Sequence, residues 1–200
     1  MRRIAISLIV LGVLVCSTLA TGSARTAKAE VWKLDPVHCA AMFRVHHAGA
    51  GQFWGRFNDV SGTVMWPRDD SVAPIFDVVV KARSIDTGTA KLDRHLQSPD
   101  FFNSIEFDTL AFKSTSAERI GERMWTVKGN MTMLGQTKPI EAVVEVTGVV
   151  GNPVVAKAGW EAIFSIDRSD FGMTWGVDNG ALGDEVKLII ALEGDTGPGA

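Results

Sequence analysis

The chain is poor in cysteine, with two in 200 residues, Cys16 and Cys39. Cys16 lies in an amino-terminal stretch that has the features of an export signal, so Cys39 is predicted to be the only cysteine of the mature protein. A single thiol excludes an intrachain disulfide, even in an oxidising compartment. We therefore expect the mature domain to be stabilised by its hydrophobic core.

The chain also lacks a second apolar segment of spanning length. Its first, residues 4–15, follows Arg2 and Arg3 and is too short to span a bilayer comfortably. Ala27-Lys28-Ala29 then provides an A-x-A cleavage site. We predict a cleavable signal peptide over residues 1–29 and no stable membrane span after cleavage. A retained membrane anchor is the alternative.

Positive charge is scarce once the signal is removed. Removing 29 of the 200 residues leaves 171, which is enough for one domain with a sizeable core. The signal contains four basic residues and no acidic ones, so cleavage takes the formal net charge from −3 to −7. An acidic surface argues against nucleic acid or an anionic membrane as the main partner.

Hydrophobic residues alternate with polar ones in segment after segment, which is the pattern of β-strands. One such face carries Ala41, Phe43, Val45 and His47. An antiparallel sheet of this length tends to curl, and closure removes its exposed edges. We predict an all-β fold, an extended eight-stranded antiparallel barrel, with eight or nine strands at about 31–35, 38–47, 53–66, 74–84, 106–114, 123–134, 137–150, 153–166 and 185–193.

Residues 88–98 interrupt the strand pattern and are predicted to form a short helix. Thr87 or Thr89 can cap it, Leu92 and Leu96 share one face, and a proline follows at position 99. The helix leads into the pair Phe101-Phe102, which could close or shape one end of a barrel. The predicted domain covers residues 30–194, and residues 195–200 are predicted to be a mobile tail.

No set of residues forms a convincing catalytic or metal site. His38 and His47 lie nine residues apart on an extended run, about 30 Å if straight, so they cannot share a metal. Cys39 follows His38, but neighbouring strand residues point to opposite faces, which makes His38 a poor base for the thiol. A carboxylate pair among the acids at 93–108 is conceivable. We predict no metal, no catalytic residue and no required cofactor.

Large apolar side chains are abundant on the inward faces, but the pattern does not show whether the barrel is hollow. An eight-stranded barrel can be filled by side chains or can hold one slender ligand, and both carry the same alternation. The inward candidates include Phe43, Phe53, Phe57, Phe101, Phe102, Phe107, Phe112, Trp125, Met131 and Met133.

An ordered series of motifs over residues 31–193 resembles the YceI-like family. The opening motifs are Leu34-Asp35-Pro36-x-His38 and Phe43-x-Val45-x-His47-x-Gly49, with Gly55. The middle signature is Ser84-Ile85-x-Thr87-Gly88 followed by Asp93-x-His95-Leu96-x-Ser98-x-Asp100-Phe101. The later motifs are Gly129-Asn130-x-Thr132, Thr137-Lys138-Pro139-Ile140, Asp167-Arg168-x-Asp170-Phe171-Gly172 and Asp184-Glu185-Val186.

The resemblance implies a lipocalin-like barrel in the bacterial periplasm with an apolar cavity for a polyisoprenoid chain, as in isoprenoid quinones. Two departures concern the head group: Leu92 stands where the family often has arginine, and Phe107-Asp108 where it often has Tyr-Pro. We expect His47 and His95 to be polar points in this cavity. The predicted lipid-binding residues are Phe43, Val45, His47, His95, Leu96, Phe101, Phe102, Phe112 and Trp125.

The leading hypothesis is a non-enzymatic carrier or sequestering protein for an isoprenoid lipid. One alternative is an enzyme that acts on a small apolar or isoprenoid substrate, with His95 and either Asp93 or Asp100 as acid and base. A second alternative is a filled barrel that serves as an interaction module. A homodimer is compatible with the sequence and could use an exposed final strand or a mobile helix.

Overall fold

The computed structural model describes residues 29–152 and 156–197. The predicted signal peptide, apart from Ala29, lies outside the described residues, as do residues 198–200 of the predicted tail. The strands are β1 (Glu30–Leu34), β2 (Ala40–His47), β3 (Gly51–Phe57), β4 (Val60–Trp66), β5 (Ile75–Lys81), β6 (Ile85–Asp86), β7 (Thr109–Gly121), β8 (Met124–Met133), β9 (Gln136–Gly151), β10 (Ala156–Asp167) and β11 (Leu182–Asp195). The helix α1 covers Ala90–Leu96, and 3₁₀ turns cover Ala82–Ser84 and Arg168–Phe171.

These strands form a closed antiparallel barrel, as predicted. Three long strands of the barrel are each interrupted once and consist of two consecutive pieces: β1 with β2, β3 with β4, and β5 with β6. The remaining five strands are β7 to β11. The ring closes where Lys33 and Leu34 of β1 pair with Asp195 and Gly194 of β11. The barrel therefore has eight strand positions around its circumference.

The final strand is not an exposed edge. β11 pairs with β10 on one side and with β2 and then β1 on the other. A dimer built by pairing two copies of this strand is therefore excluded, because its backbone groups are already bonded within the barrel. The strand continues through Asp195, one residue beyond the predicted domain limit, and the Thr196 amide donates to the Ala156 carbonyl.

One end of the barrel, called the floor here, is closed by the indoles of Trp32, Trp66 and Trp160. Their ring centroids lie 5.9 to 6.2 Å apart in tilted and edge-on arrangements. The Trp32 N–H donates to the Trp66 carbonyl at 2.8 Å. The Asp70 carboxylate accepts the indole N–H groups of Trp66 and Trp125, both at 3.1 Å. The floor is therefore dense, aromatic and hydrogen-bonded.

The opposite end, called the mouth here, consists of the β2–β3 turn, α1 with residues 97–108, and the segment 172–181. β6 pairs with β3 only through residues 85–86, and α1 follows directly. The helix is held by Asp93, whose carboxylate accepts the Thr87 amide and hydroxyl at 2.8 and 2.7 Å. Thr89 is the N-cap residue, but its side chain makes no capping hydrogen bond. The predicted helix is thus confirmed, but its start is held by the Asp93 carboxylate and not by a capping hydrogen bond from Thr89.

A candidate ligand-binding cavity

The barrel encloses a cavity of about 320 Å³ just inside the mouth. This volume lies at the lower end of the range of about 300–1,000 Å³ that is usual for small-molecule sites. Apart from His47, His95, Arg168 and the indole of Trp175, the side chains that line it are aliphatic, phenylalanine or methionine. Such a wall favours an apolar ligand.

A second cavity of about 100 Å³ lies closer to the floor. Its lining is entirely apolar and includes Trp160 of the floor. Phe57, Leu110, Met131 and Leu188 line both cavities. The two spaces therefore follow one another through the barrel and share these four side chains, of which the methionine is the most adaptable.

The structure brings most of the predicted site residues together. Phe43, Val45, His47, His95, Leu96, Phe101 and Phe102 all line the larger cavity. Phe112 lines the smaller one. Trp125 lines neither of these two cavities, because it lies near the floor, where its N–H bonds Asp70 and the Arg119 guanidinium lies 4.4 Å above its ring.

The two phenylalanines after α1 are fixed by backbone hydrogen bonds. The Phe102 amide donates to the Leu96 carbonyl, and the Phe101 amide donates to the Ser98 carbonyl, each at 3.0 Å. Phe102 then meets Phe57 edge-on at 5.2 Å between ring centroids, whereas Phe101 is buried and only 4 % exposed. The pair that was expected to close or shape one end of the barrel thus forms part of the wall of the larger cavity, held by backbone hydrogen bonds.

His95 connects this wall to the mouth. Its Nε2 lies 3.0 Å from a carboxylate oxygen of Asp100, five residues along the chain. Its ring meets Phe101 at 5.0 Å and Trp175 at 5.4 Å, both edge-on. Asp93, the other predicted acid partner, is engaged by Thr87 instead. Among the described residues, Asp100 is the only group hydrogen-bonded to the His95 side chain.

Arg168 is a cavity-lining residue that is absent from the predicted site. Its side chain is 2 % exposed and lines the larger cavity. Its Nε donates to Gly183, its Nη1 to Met173, and its Nη2 to both Trp175 and Leu182, all at main-chain carbonyls 2.8 to 3.1 Å away. Burial lowers the pKa of the guanidinium, and the charge of Asp184 opposes that shift.

These four bonds shape the mouth. Met173, Trp175 and Leu182 all contribute side chains to the cavity wall, and each has its carbonyl bonded by Arg168. The only signal in the sequence is the motif around Arg168, which marks the position without revealing its role. In the sequence, a charged residue in a polar connection is expected to be solvent-exposed. Hydrogen bonds to main-chain carbonyls cannot be predicted from the pattern of side chains.

The two departures from the family pattern have different consequences. Leu92 lines the larger cavity, so an apolar side chain faces the ligand space there. Phe107 lines neither of the two cavities, and its ring lies close to Gly135 on the β8–β9 turn. Only the first departure is therefore placed to affect what the larger cavity accepts.

A polar cluster lies elsewhere, where β1, β2 and β11 meet. His38 Nδ1 is 2.8 Å from Asp35 and 3.8 Å from Glu193, and the Lys157 ammonium is 2.6 Å from Glu193. The His38 hydrogen bond, with that of the Val37 amide, lowers the pKa of Asp35. The ligand-type atoms of Asp35, His38 and Glu193 lie within 4.8 Å of one another, but the Lys157 ammonium is an ion-pair partner of both carboxylates. The cluster joins the strands where the barrel closes.

Cys39 is the one free thiol among the described residues, and it is buried. Its Sγ lies 3.4 Å from the carbonyl oxygen and 3.3 Å from the amide nitrogen of Glu193. Burial raises the pKa of the thiol. Because a nucleophilic cysteine needs a lowered pKa, this environment does not activate it.

A closed eight-stranded antiparallel barrel around an apolar cavity is a lipocalin-like architecture. The sequence model of the YceI-like domain family matches residues 32–194. Because this match covers most of the chain, the chain belongs to this family. It is 35 % identical over 175 residues to protein YceI of Salmonella arizonae, an alignment that covers 87 % of this chain and 90 % of the relative. No helix in the described part of the chain is long and apolar enough to cross a membrane.

Solved structures share this fold. A YCEI protein from Campylobacter jejuni superposes with a TM-score of 0.68 at 27 % identity, over 75 % of this chain and 88 % of that one. A polyisoprenoid-binding domain from Saccharophagus degradans superposes with a TM-score of 0.65 at 14 % identity, over 84 % of this chain and 98 % of that one. The second likeness concerns the fold alone.

Proposed function

We propose that the protein binds an isoprenoid lipid in its barrel and carries or sequesters it in the periplasm, without catalysis. The observation that carries the proposal is the apolar cavity of about 320 Å³ that is followed by a second apolar space toward the floor. A long, flexible hydrocarbon chain suits two narrow spaces in succession better than a compact ligand does.

The energetics of such binding need no special chemistry. At about 0.8 kcal/mol per buried carbon, a five-carbon isoprenoid unit contributes about 4 kcal/mol. The loss of translational and rotational freedom on association costs about 4–15 kcal/mol. Burial of a few units would offset that cost. Met131 and Met133 in the wall of the larger cavity can adapt to the methyl branches of such a chain.

Two further observations support the proposal. The predicted signal peptide over residues 1–29 favours export, and hence the periplasm. The structural neighbour from Saccharophagus degradans is named as a polyisoprenoid-binding domain, and its barrel superposes on most of this chain. The filled-barrel alternative is less favoured, because a packed core would leave no space of about 320 Å³.

An enzyme remains a distinct second candidate because of one observation. His95 and Asp100 form a hydrogen-bonded pair at the wall of the larger cavity, which is the geometry of an oriented general base. Turnover of a quinone or prenyl substrate that is abolished by His95→Ala would favour this alternative. Retention of an unchanged lipid would favour the carrier.

Native mass spectrometry of protein purified from its own periplasm tests the proposal. We expect a co-purifying mass in the range of prenyl lipids. Leu188→Phe adds bulk to the wall shared by both cavities and should reduce the amount of co-purifying lipid. Ile189→Phe, on the other face of the same strand, should leave that amount unchanged. A protein that stays empty and also fails to bind added isoprenoid quinone would exclude the carrier.

A further inference from the structure

We propose that the smaller cavity, beside the floor, is a subsite for an oxygen atom that only accepts hydrogen bonds, such as that of an epoxide, ether or ketone. The donor is the indole N–H of Trp160, and the oxygen is carried on the inner end of the ligand. This inference rests on the proposed binding of a lipid in the barrel and adds a chemical requirement at the end of the chain that lies deepest.

Trp160 has a polar group that the protein leaves unpaired. The side chain is 1 % exposed, and its N–H has no hydrogen-bond partner among the described residues. The same side chain lines the smaller cavity. Its neighbour Trp32 shows the usual arrangement, because the Trp32 N–H donates to the Trp66 carbonyl. A buried donor without a partner is uncommon in proteins, and here it lies beside a space that a ligand can enter.

The orientation of the ring turns this N–H away from the barrel wall at β11. A Cβ added at Gly194 would lie 3.4 Å from Cζ3 of Trp160, so the benzene edge of the indole faces that backbone. Nε1 is bonded to the ring carbon opposite Cζ3 and therefore lies on the far side of the ring. A β-bulge adjoins the residue, since Gly159 pairs with Gly148 but Trp160 pairs with Val146. Bulges often re-aim a side chain next to a functional site.

The surroundings of the donor limit which group can pair with it. Apart from this indole, every described side chain that lines the smaller cavity is alanine, valine, leucine, isoleucine, phenylalanine or methionine. The lining side chains therefore offer one good donor and no strong acceptor. An ether, epoxide or carbonyl oxygen is satisfied by that donor, whereas a hydroxyl would bring an O–H that finds no acceptor. An ionised group would be buried without a partner charge.

A ligand group suits this space better than water does. A buried water makes about three hydrogen bonds, whereas the lining side chains offer it one good donor. The volume of about 100 Å³ is enough for the last few atoms of a chain. For scale, an apolar cavity of about 150 Å³ in another protein binds benzene. Because the larger cavity lies between this space and the mouth, the group that reaches Trp160 is the inner end of the ligand.

Prenyl alcohols with a modified inner end test the subsite. Farnesol, geranylgeraniol and geranylfarnesol share one head group and differ in the depth that they reach. Each is compared with its terminal epoxide and with the diol formed by opening that epoxide. Delipidated protein is titrated with every ligand in competition with one fluorescent prenyl probe.

Pairing of one buried, unsatisfied donor changes a binding constant by about fivefold to a hundredfold. At the length that reaches Trp160, we therefore expect the epoxide to bind at least about fivefold more tightly than its parent alcohol, and the diol to show no such gain. Absence of a gain for all the epoxides would overturn the inference and leave the proposed function standing. Failure of every ligand to bind would overturn the two together.

Two matched variants assign the effect to one N–H group. Trp160→Phe and Trp32→Phe each remove an indole from the floor, but only the first removes an unpaired donor. The advantage of the epoxide should disappear in Trp160→Phe and persist in Trp32→Phe. Equal effects of the two variants would contradict the assignment.

Nuclear magnetic resonance of the unmodified protein gives a measurement that does not depend on the stability of a variant. In nitrogen–proton correlation spectra, the indole signal of Trp160 should move further downfield with the epoxide than with the parent alcohol, because a hydrogen bond deshields the proton. Equal positions of the signal with both ligands would show that the oxygen does not reach the donor and would overturn the inference.

Discussion

The floor of the barrel offers a sharp test of how one buried hydrogen bond contributes to stability. Trp32 and Trp160 are both essentially inaccessible to solvent, at 0 % and 1 % exposure, and their rings lie in contact. Their neighbours differ, because the Arg68 guanidinium lies 5.6 Å from the Trp32 ring centroid and Trp160 also lines the smaller cavity. The main difference concerns their indole N–H groups. The Trp32 N–H donates to the Trp66 carbonyl, whereas the Trp160 N–H is buried without a partner among the described residues.

Replacement of each tryptophan by phenylalanine removes the same atoms from the same cluster, so the packing losses should be similar. Trp32→Phe also loses a hydrogen bond with a net value of about 0.5–1.5 kcal/mol. Trp160→Phe instead removes an unpaired buried donor, whose burial costs about 1–3 kcal/mol. We therefore expect Trp32→Phe to be the less stable variant, by about 1.5–4.5 kcal/mol.

Urea unfolding followed by far-ultraviolet circular dichroism measures the difference without depending on tryptophan fluorescence. Both variants should keep the m value of the unmodified protein, because a changed slope would mean that the denatured or native state had changed in compactness. Equal destabilisation, or a greater loss in Trp160→Phe, would refute the reasoning and show that the indole N–H of Trp160 is satisfied in solution.

Three further outcomes are expected. Phe102→Ala should weaken ligand retention with only a modest loss of stability. Phe101→Ala removes a buried side chain and should lower the free energy of unfolding by about 3–5 kcal/mol. Ligand-retention assays and urea unfolding of both variants measure these effects. Asp70→Asn should be milder than Asp70→Ala in unfolding experiments, because asparagine keeps an acceptor for the two indoles and tolerates the positive φ of 53°. The folded state lowers the pKa of Asp35, so this carboxylate contributes stability above its unfolded pKa and loses that contribution as the pH falls through its folded pKa. Because the His38 hydrogen bond is the main cause of the lowered pKa, His38→Ala should make the free energy of unfolding depend less on pH in the acid range, as measured by urea unfolding at several pH values.

Strand positions could be predicted well, because the period-two alternation is a local property of the chain. The interruption of the predicted strand 53–66 could not be predicted from the sequence. It is divided between β3 and β4 at residues 58 and 59, where the Asn58 amide donates to the Ser84 carbonyl and the Asp59 amide to the Ser84 hydroxyl. The partner lies about 25 residues away in sequence, so no local pattern signals the break.

Alternation also predicts which face a side chain occupies but not its height along the barrel axis. The alternation predicts that Trp125 points inward, and it is 5 % exposed. It nevertheless lies near the floor against Asp70 and does not line the larger cavity, and Phe112 lines the smaller cavity. Height depends on the stagger of neighbouring strands, which is fixed only when the barrel closes.

The same distinction explains why a hollow barrel could not be told from a filled one. Phe43 pairs with Gly55 across β2 and β3, and a Cβ added at Gly55 would lie 2.4 Å from the Phe43 ring. The glycine thus lets this ring lie flat along the wall instead of across the lumen. Whether an inward phenylalanine fills the space or only lines it therefore depends on the residue opposite. For that reason the cavity is a property of cross-strand pairs, which the alternation of any single strand does not contain.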